Sequence, residues 1–210
     1  MTDIQRKIRR VLEAEAQAIL AVPVDQAFER AVLQIERCPG KIVTTGMGKA
    51  GLTARKFAAV LCSTGTPAVF IHPGEAAHGD LGLVAGGDCI VAFSNSGKTR
   101  EVIELIHLAR QLGCDSVIGV TSHPDSELRA LSNVLLDMGR VVEPCPLGLT
   151  PTASVAVMSA ISDALAIVIM ERKGFTAAEY GIRHHGGYLG SRARNGAAPG
   201  AKREKSETTA

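Results

Sequence analysis

The apolar residues of this chain follow two different patterns. Near the start, Ile4, Ile8, Leu12 and Ile19 recur at helical spacing with charged residues between them, which predicts an amphipathic helix. A second helical stretch is expected at about 25–37, and beyond it short unbroken apolar runs alternate with turns and further helical stretches. Strands are predicted at 41–45, 68–71, 89–93, 117–121 and 134–137, and helices at 52–62, 99–112 and 126–131.

The unbroken apolar runs indicate the fold class. Strands of this kind are covered on both faces, and the strand-helix-strand succession makes them parallel. We therefore expect an α/β fold with a doubly wound, flavodoxin-like sheet of five parallel strands, in one domain of residues 1–190 that includes the N-terminal helices of 1–38. Ligands of such sheets bind beyond the carboxyl ends of the strands, where the winding reverses. The turns after the first and third strands should therefore hold the chemistry.

A longer apolar run from Thr152 to Met170 raises the question of a membrane span. Ser159, Ser162 and Asp163 interrupt it. We expect a helix buried on all sides inside the protein, and no membrane partner.

Charge and cysteine content narrow the possible functions. The net charge is +2, but the last twenty residues are rich in cations, and the rest of the chain is close to neutral. A near-neutral body argues against a nucleic-acid partner, and the composition of residues 191–210 predicts a disordered tail. Five cysteines without a C-x-x-C pair, and no secretory apolar segment at the start, predict reduced thiols in a cytoplasmic protein.

The turn after the third strand reads Ser94-Asn95-Ser96-Gly97-Lys98-Thr99 and opens a helix. Hydroxyl groups and the N–H groups of a helix start together form a binding site for phosphate. The alternative is that Ser96 or Thr99 only caps the helix. The position after the third strand favours phosphate.

The turn after the first strand has glycines at 46, 48 and 51, which superficially matches a dinucleotide-binding motif. That motif expects an acidic residue at the end of the second strand, where this chain has Ile71-His72-Pro73. We therefore interpret Lys49 as a cation that reaches a small phosphorylated ligand rather than as part of a dinucleotide site. The alternative is that Lys49 is an ordinary surface lysine.

Three further segments, 74–80, 143–148 and 184–187, carry carboxylates, imidazoles or both and are expected to be loops. A carboxylate and an imidazole in one pocket can perform general acid–base catalysis, although each residue taken alone could be structural. His72, His78 and His184 have no spacing that is diagnostic of a metal site, so no metal is expected.

Several of these segments together resemble one known family. The segments 46–51, 63–67, 72–82, 94–97 and 145–152 are similar to those of the SIS-domain (sugar isomerase) arabinose 5-phosphate isomerases. The resemblance implies a homotetramer with sites at subunit boundaries, and interconversion of D-ribulose 5-phosphate and D-arabinose 5-phosphate without a cofactor. In Gram-negative bacteria this product feeds synthesis of the lipopolysaccharide sugar Kdo.

The same resemblance implies roles for individual residues. The catalytic group would be Lys49, Glu101, Glu143 and His184, with Glu143 as the base of an enediol mechanism. His184 would assist ring opening or proton transfer between oxygens, and Lys49 would support the enediolate. The phosphate would bind Ser94, Asn95, Ser96 and Thr99, and further pocket candidates are Gly48, Ser63, Thr64, Glu75 and His78.

The chain departs from the family pattern at Lys98, His185 and Tyr188. A different substrate, such as a hexulose 6-phosphate, and a non-catalytic sugar-phosphate sensor therefore stay open as alternatives. Long members of the family carry two CBS domains after the SIS domain. This chain has no room for them, so regulation by nucleotides is not expected.

Overall fold

The structure, a computed structural model, describes residues 1–194. The helices are α1 (Asp3–Leu20), α2 (Gln26–Glu36), α3 (Gly48–Ser63), α4 (Pro73–Ala76), α5 (Arg100–Gln111), α6 (Glu127–Leu131), α7 (Ala153–Arg172), α8 (Ala177–Arg183) and α9 (Gly187–Arg194). The strands are β1 (Ile42–Gly46), β2 (Ala68–Phe70), β3 (Cys89–Phe93), β4 (Ser116–Thr121) and β5 (Val134–Asp137). A short 3₁₀ helix covers Asp80–Leu83.

The five strands form one parallel sheet in the order β2-β1-β3-β4-β5, which confirms the doubly wound, flavodoxin-like fold. Every residue of β1 and β3 is buried, because helices cover both faces of the sheet. The chain reverses its winding direction between these two strands, and Gly46 pairs with Phe93 at their carboxyl ends. The turns predicted to hold the chemistry therefore lie side by side.

Two buried threonines of β1 form hydrogen bonds to the neighbouring helix α3 and to the segment after β2. Thr44 Oγ1 donates to the Ala54 carbonyl of α3 over 2.8 Å, and Thr45 Oγ1 donates to the Ile71 carbonyl over 2.9 Å. The second bond holds the segment after β2 next to the turn after β1. The helix then passes so close to β1 that a side chain on Gly51 would overlap the Gly46 carbonyl.

Helices α3 and α7 lie side by side and run in the same direction. Lys56 and Asp163, near the middle of each helix, form an ion pair. Just past the ends of both helices, Lys173 Nζ donates to Thr66 Oγ1 over 2.8 Å. Both helices therefore begin at the carboxyl edge of the sheet and end at its amino edge.

Several boundaries differ from the sequence-based expectation. Helix α3 begins at Gly48 rather than at residue 52, so Lys49 lies in its first turn. The segment 74–80 is not wholly a loop, because α4 covers its start. Helix α9 takes in residues 191–194, which were predicted to be disordered, and the remainder of that segment, 195–210, lies outside the described residues.

The prediction that the apolar run is buried on all sides is wrong in part. Helix α7 is long and apolar enough to cross a membrane, and half of its most apolar window is buried inside the protein. Ile167 and Val168 remain about two-fifths exposed. Val168 lines an open groove of about 400 Å³ between α1, α2 and α7.

Helix α1 has no buried residue, although Ala18, near its end, packs against the core. Its apolar stripe at Ile4, Ile8 and Leu12 is more than half exposed. Ile19, the last residue of the stripe, lines the groove, and we call the stripe and the groove together the α1–α7 surface.

Candidate active site

The loop from Ser94 to Thr99 lies at the carboxyl end of β3, where the winding reverses. Thr99 occupies the N-cap position of α5, but its side chain makes no capping hydrogen bond. Instead, Thr99 Oγ1 lies 2.8 Å from Ser94 Oγ, which is buried. The capping alternative is therefore wrong for Thr99, and the N–H groups at the start of α5 keep their capacity to bind an anion. The Ser96 hydroxyl accepts a bond from Lys98 N over 3.2 Å and is exposed.

Residues at the end of β4 and just after it bond to Asn95, and the sequence-based reasoning missed them. The Asn95 carbonyl accepts bonds from Thr121 Oγ1 at 3.0 Å and from His123 Nδ1 at 2.8 Å. Ser122 Oγ donates to the Asn95 side chain over 2.7 Å. The rule that ligands bind at carboxyl ends of strands could have found these residues, since β4 is the neighbour of β3.

Lys49 and Glu101 lie at the same edge of the sheet as the loop. Lys49 is exposed in the first turn of α3. The space beside the preceding residue, Gly48, is open, because a Cβ added to Gly48 would have no atom within 4 Å. Glu101 is half-buried in the first turn of α5. Within residues 1–194, neither charged group has a hydrogen-bond or ion-pair partner, so both are available to a ligand.

Glu143 also lies at this edge, where it caps α7. Its carboxylate accepts bonds from the N–H groups of Thr152 and Ala153, both at 2.8 Å, and from the N–H and the hydroxyl of Ser154. Burial raises the pKa of Glu143, but the bonds from Ser154 and from the backbone outweigh that effect and hold the pKa below its ordinary value. Glu143 is therefore ionised at neutral pH and bound to the helix start.

His184 lies at the opposite edge of the sheet. It follows α8, and the last residue of α8, Arg183, reaches the turn before β2. A side chain added to Gly65 in that turn would overlap the Phe175 ring and lie 3.7 Å from Arg183 Nη2. The His184 ring stacks on Tyr180 at 4.0 Å, and its Nδ1 lies 3.2 Å from the Tyr180 carbonyl. A carbonyl can only accept, so Nδ1 donates, and Nε2 is the nitrogen that can take a proton.

The remaining pocket candidates divide between the two edges. Glu75 and His78 are exposed in the segment after β2, at the carboxyl edge. Ser63 and Thr64 end α3 at the amino edge, where the Thr64 hydroxyl donates to the Val60 carbonyl over 2.9 Å. Among the described residues, no group of three His, Cys, Asp or Glu side chains could hold a metal ion.

One cysteine near Glu143 differs from the others. All five are free; Cys89 and Cys114 are buried, and burial raises the pKa of each to about 11. Cys145 is half-buried in the loop after β5. The Thr150 hydroxyl and the N–H groups of residues 150, 149 and 147 lower the pKa of Cys145 to about 6. Cys89 and Cys114 therefore pack as small apolar residues of the core, whereas Cys145 lies outside the core.

Comparison with known proteins identifies one matching family and several similar proteins. The SIS domain family matches residues 35–168. The arabinose 5-phosphate isomerase KdsD of Pseudomonas aeruginosa is 42% identical over 181 residues, which are 86% of this chain and 55% of that protein. The chain thus spans little more than half the length of the curated relatives it matches.

Two solved structures match this chain over nearly their whole length. A candidate phosphosugar isomerase involved in capsule formation from Bacteroides fragilis NCTC 9343 is 49% identical, with a TM-score of 0.84 over 88% of this chain and 99% of that one. Escherichia coli CFT073 c3406 in complex with arabinose 5-phosphate is 34% identical, with a TM-score of 0.82 over 88% of this chain and 100% of that one.

Proposed function

Because this chain belongs to the SIS-domain family, we propose that it is an aldose–ketose isomerase that interconverts D-ribulose 5-phosphate and D-arabinose 5-phosphate through an enediol. The observation that carries the proposal is the loop from Ser94 to Thr99, which holds paired hydroxyls and an uncapped helix start beside Lys49 and Glu101. It offers an anchor for phosphate and acid–base groups for the sugar.

The chemistry requires a base that moves a proton between C1 and C2. Glu143, the base expected from the sequence, is a weak one here, because taking a proton would weaken the bonds that it accepts at the start of α7. The Glu101 carboxylate makes no such bonds within residues 1–194 and follows the phosphate loop by two residues. We therefore assign proton transfer to Glu101 and the anchoring of α7 to Glu143.

Lys49 and His184 complete the catalytic group. An ammonium near the sugar oxygens stabilises the negative charge that develops on the enediolate, which is the role we give to Lys49. His184, with Nε2 free to exchange a proton, assists ring opening and proton transfer between oxygens.

His184 lies at the amino edge of the sheet, so a second copy of the chain must bring it to the phosphate loop. The α1–α7 surface supports this assembly, because its exposed apolar side chains gain stability when another subunit covers them. We propose a homo-oligomer, in keeping with the tetramer that the family resemblance implies, with sites shared between subunits. A cytoplasmic enzyme of this kind would supply arabinose 5-phosphate for Kdo and lipopolysaccharide synthesis.

The decisive experiment is an isomerisation assay of the purified chain over pentose 5-phosphates and hexose and hexulose 6-phosphates. Turnover of arabinose 5-phosphate and ribulose 5-phosphate well above that of the six-carbon substrates is expected. Faster turnover of a hexulose 6-phosphate would reassign the substrate, and binding without turnover of any member would identify a sensor.

A further inference from the structure

Ser126 carries a buried hydroxyl without a hydrogen bond in the part of the chain that the structure describes. The residue is only 6% exposed, and within residues 1–194 its Oγ has no hydrogen-bond partner. It occupies the N-cap position of α6 without a capping bond from its side chain. A buried hydroxyl without a partner is destabilising, so its presence calls for a physical reason.

The hydroxyl lies directly against the proposed phosphate loop. A side chain on Gly97 would overlap Ser126 Oγ and lie 3.1 Å from Thr121 Oγ1. Gly97 has a φ of +62° and accepts a bond at its carbonyl from Leu128 N over 3.0 Å, so the loop and the start of α6 are held together. The Ser126 hydroxyl thus lies directly against Gly97, the residue of the loop that has no side chain.

We infer that the Ser126 hydroxyl donates to a phosphate oxygen when a phosphorylated ligand occupies the loop, as a further residue of that subsite. The Gly97 backbone covers this hydroxyl, so the bond requires that Gly97 move away from Ser126 when the ligand binds. The hydroxyl rotates freely about its Cβ–Oγ bond and needs only an acceptor on that side. The inference rests on the proposed function, since it requires that residues 94–99 bind phosphate.

Ser126→Ala tests the inference, with Ser162→Ala as a matched control. Ser162 is equally buried, but its hydroxyl already donates to the Ser159 carbonyl over 2.8 Å, far from the loop in sequence. Two quantities are measured for each variant and for the wild type: the urea midpoint of the ligand-free protein, and the Kd for arabinose 5-phosphate and for inorganic phosphate by calorimetry.

Ser126→Ala should unfold at the same or a higher urea concentration than the wild type, because it removes an unpaired buried group. It should bind both ligands about 10- to 100-fold more weakly, the range expected for one lost hydrogen bond to a charged acceptor. Ser162→Ala should leave both Kd values unchanged.

A Ser126→Ala protein whose Kd values stay within about twofold of the wild type overturns the inference and leaves the proposed function intact. Weaker binding of arabinose 5-phosphate with unchanged binding of inorganic phosphate also overturns it, since the acceptor would then be on the sugar. A wild type that binds neither ligand removes the phosphate site itself, and the proposed function with it.

Discussion

Thr99 Oγ1 and Ser94 Oγ lie 2.8 Å apart, at the two ends of the loop that joins β3 to α5. This pair takes the Thr99 side chain away from the helix start that it would otherwise cap. The N–H groups at the start of α5 therefore stay available to a ligand.

Thr99→Val should weaken binding of arabinose 5-phosphate, and it should cost about 1–3 kcal/mol of stability because it leaves the buried Ser94 hydroxyl without its partner. Asp25→Ala is the matched control. Asp25 does cap α2, through a bond from Ala27 N at 2.8 Å, so its loss should cost about 1 kcal/mol of stability without affecting the ligand. Calorimetry and urea unfolding measure the two effects. A Thr99→Val protein that is destabilised but binds the sugar phosphate normally would limit Thr99 to a structural role as the partner of Ser94.

Glu101→Gln should abolish turnover and leave arabinose 5-phosphate binding largely intact, because the amide keeps the size of the side chain but cannot take a proton. It should also stop the incorporation of solvent deuterium at C1 or C2, which depends on the same proton transfer. Glu143→Gln should retain exchange but lose roughly 1.5–3 kcal/mol of stability, since it removes bonds to a charged acceptor. If instead Glu143→Gln folds normally and exchanges no deuterium, Glu143 is the base.

Ile8→Glu should give a smaller particle than the wild type in light scattering and should lower activity, because a charge on the α1–α7 surface opposes subunit contact and separates His184 from its site. Gln17→Glu adds a similar charge on the opposite face of α1, where the side chain is exposed, and should change neither size nor activity. A wild type that is monomeric at micromolar concentration contradicts the shared site.

Stability should fall in acid, and Asp88 should account for part of the loss. Burial raises the pKa of Asp88, but bonds from Lys41 and from Ala85 N outweigh burial and lower it, as bonds lower the pKa of Glu143. A depressed pKa contributes stability above the unfolded values of about 4, and that contribution is lost as the pH falls through the folded values. The free energy of unfolding should therefore decrease below about pH 5.

Asp88→Asn should cost roughly 1.5–3 kcal/mol at pH 7, since it removes the partner of the Lys41 ammonium at 2.6 Å, and should reduce the acid dependence. Asp80→Asn, at an exposed carboxylate, serves as control. Urea unfolding at several pH values gives both quantities, and an unchanged acid dependence in Asp88→Asn would exclude Asp88 as its source.

Cys145 should react with iodoacetamide before Cys89 and Cys114 at pH 7, because its pKa of about 6 makes it largely thiolate. The rate should fall as the pH is lowered through 6, and Thr150→Val should slow the reaction at pH 7 by removing a donor to the sulfur. Mass spectrometry of timed digests identifies the alkylated residues. Equal rates in Thr150→Val and wild type would show that Thr150 does not activate the thiol.

The sequence predicts the sheet well because its strands are unbroken apolar runs, which are distinctive when helices alternate with them. Helices α4, α8 and α9, of four, seven and eight residues, were not predicted. The capping box at Thr176 and Glu179 was the local signal that could have revealed α8.

The candidate site was predictable where it depends on strand ends, as at Ser94 and Lys49. It was not predictable where it depends on contacts between distant segments. The capping of α7 by Glu143 joins residues nine to eleven positions apart across an irregular loop. The location of His184 depends on how α8 packs beside Gly65, which no local pattern encodes.

Helices α3, α5 and α7 all start at the carboxyl edge of the sheet, and this has a consequence for charge matching. Each helix start carries about half a positive charge. Glu143 already occupies the start of α7, so the starts of α3 and α5 and the ammonium of Lys49 remain. Together they nearly balance a phosphate dianion. Because much of this charge is fixed backbone dipole directed into one small site, the protein should attract a compact dianion strongly and extended polyanions weakly, even at low ionic strength.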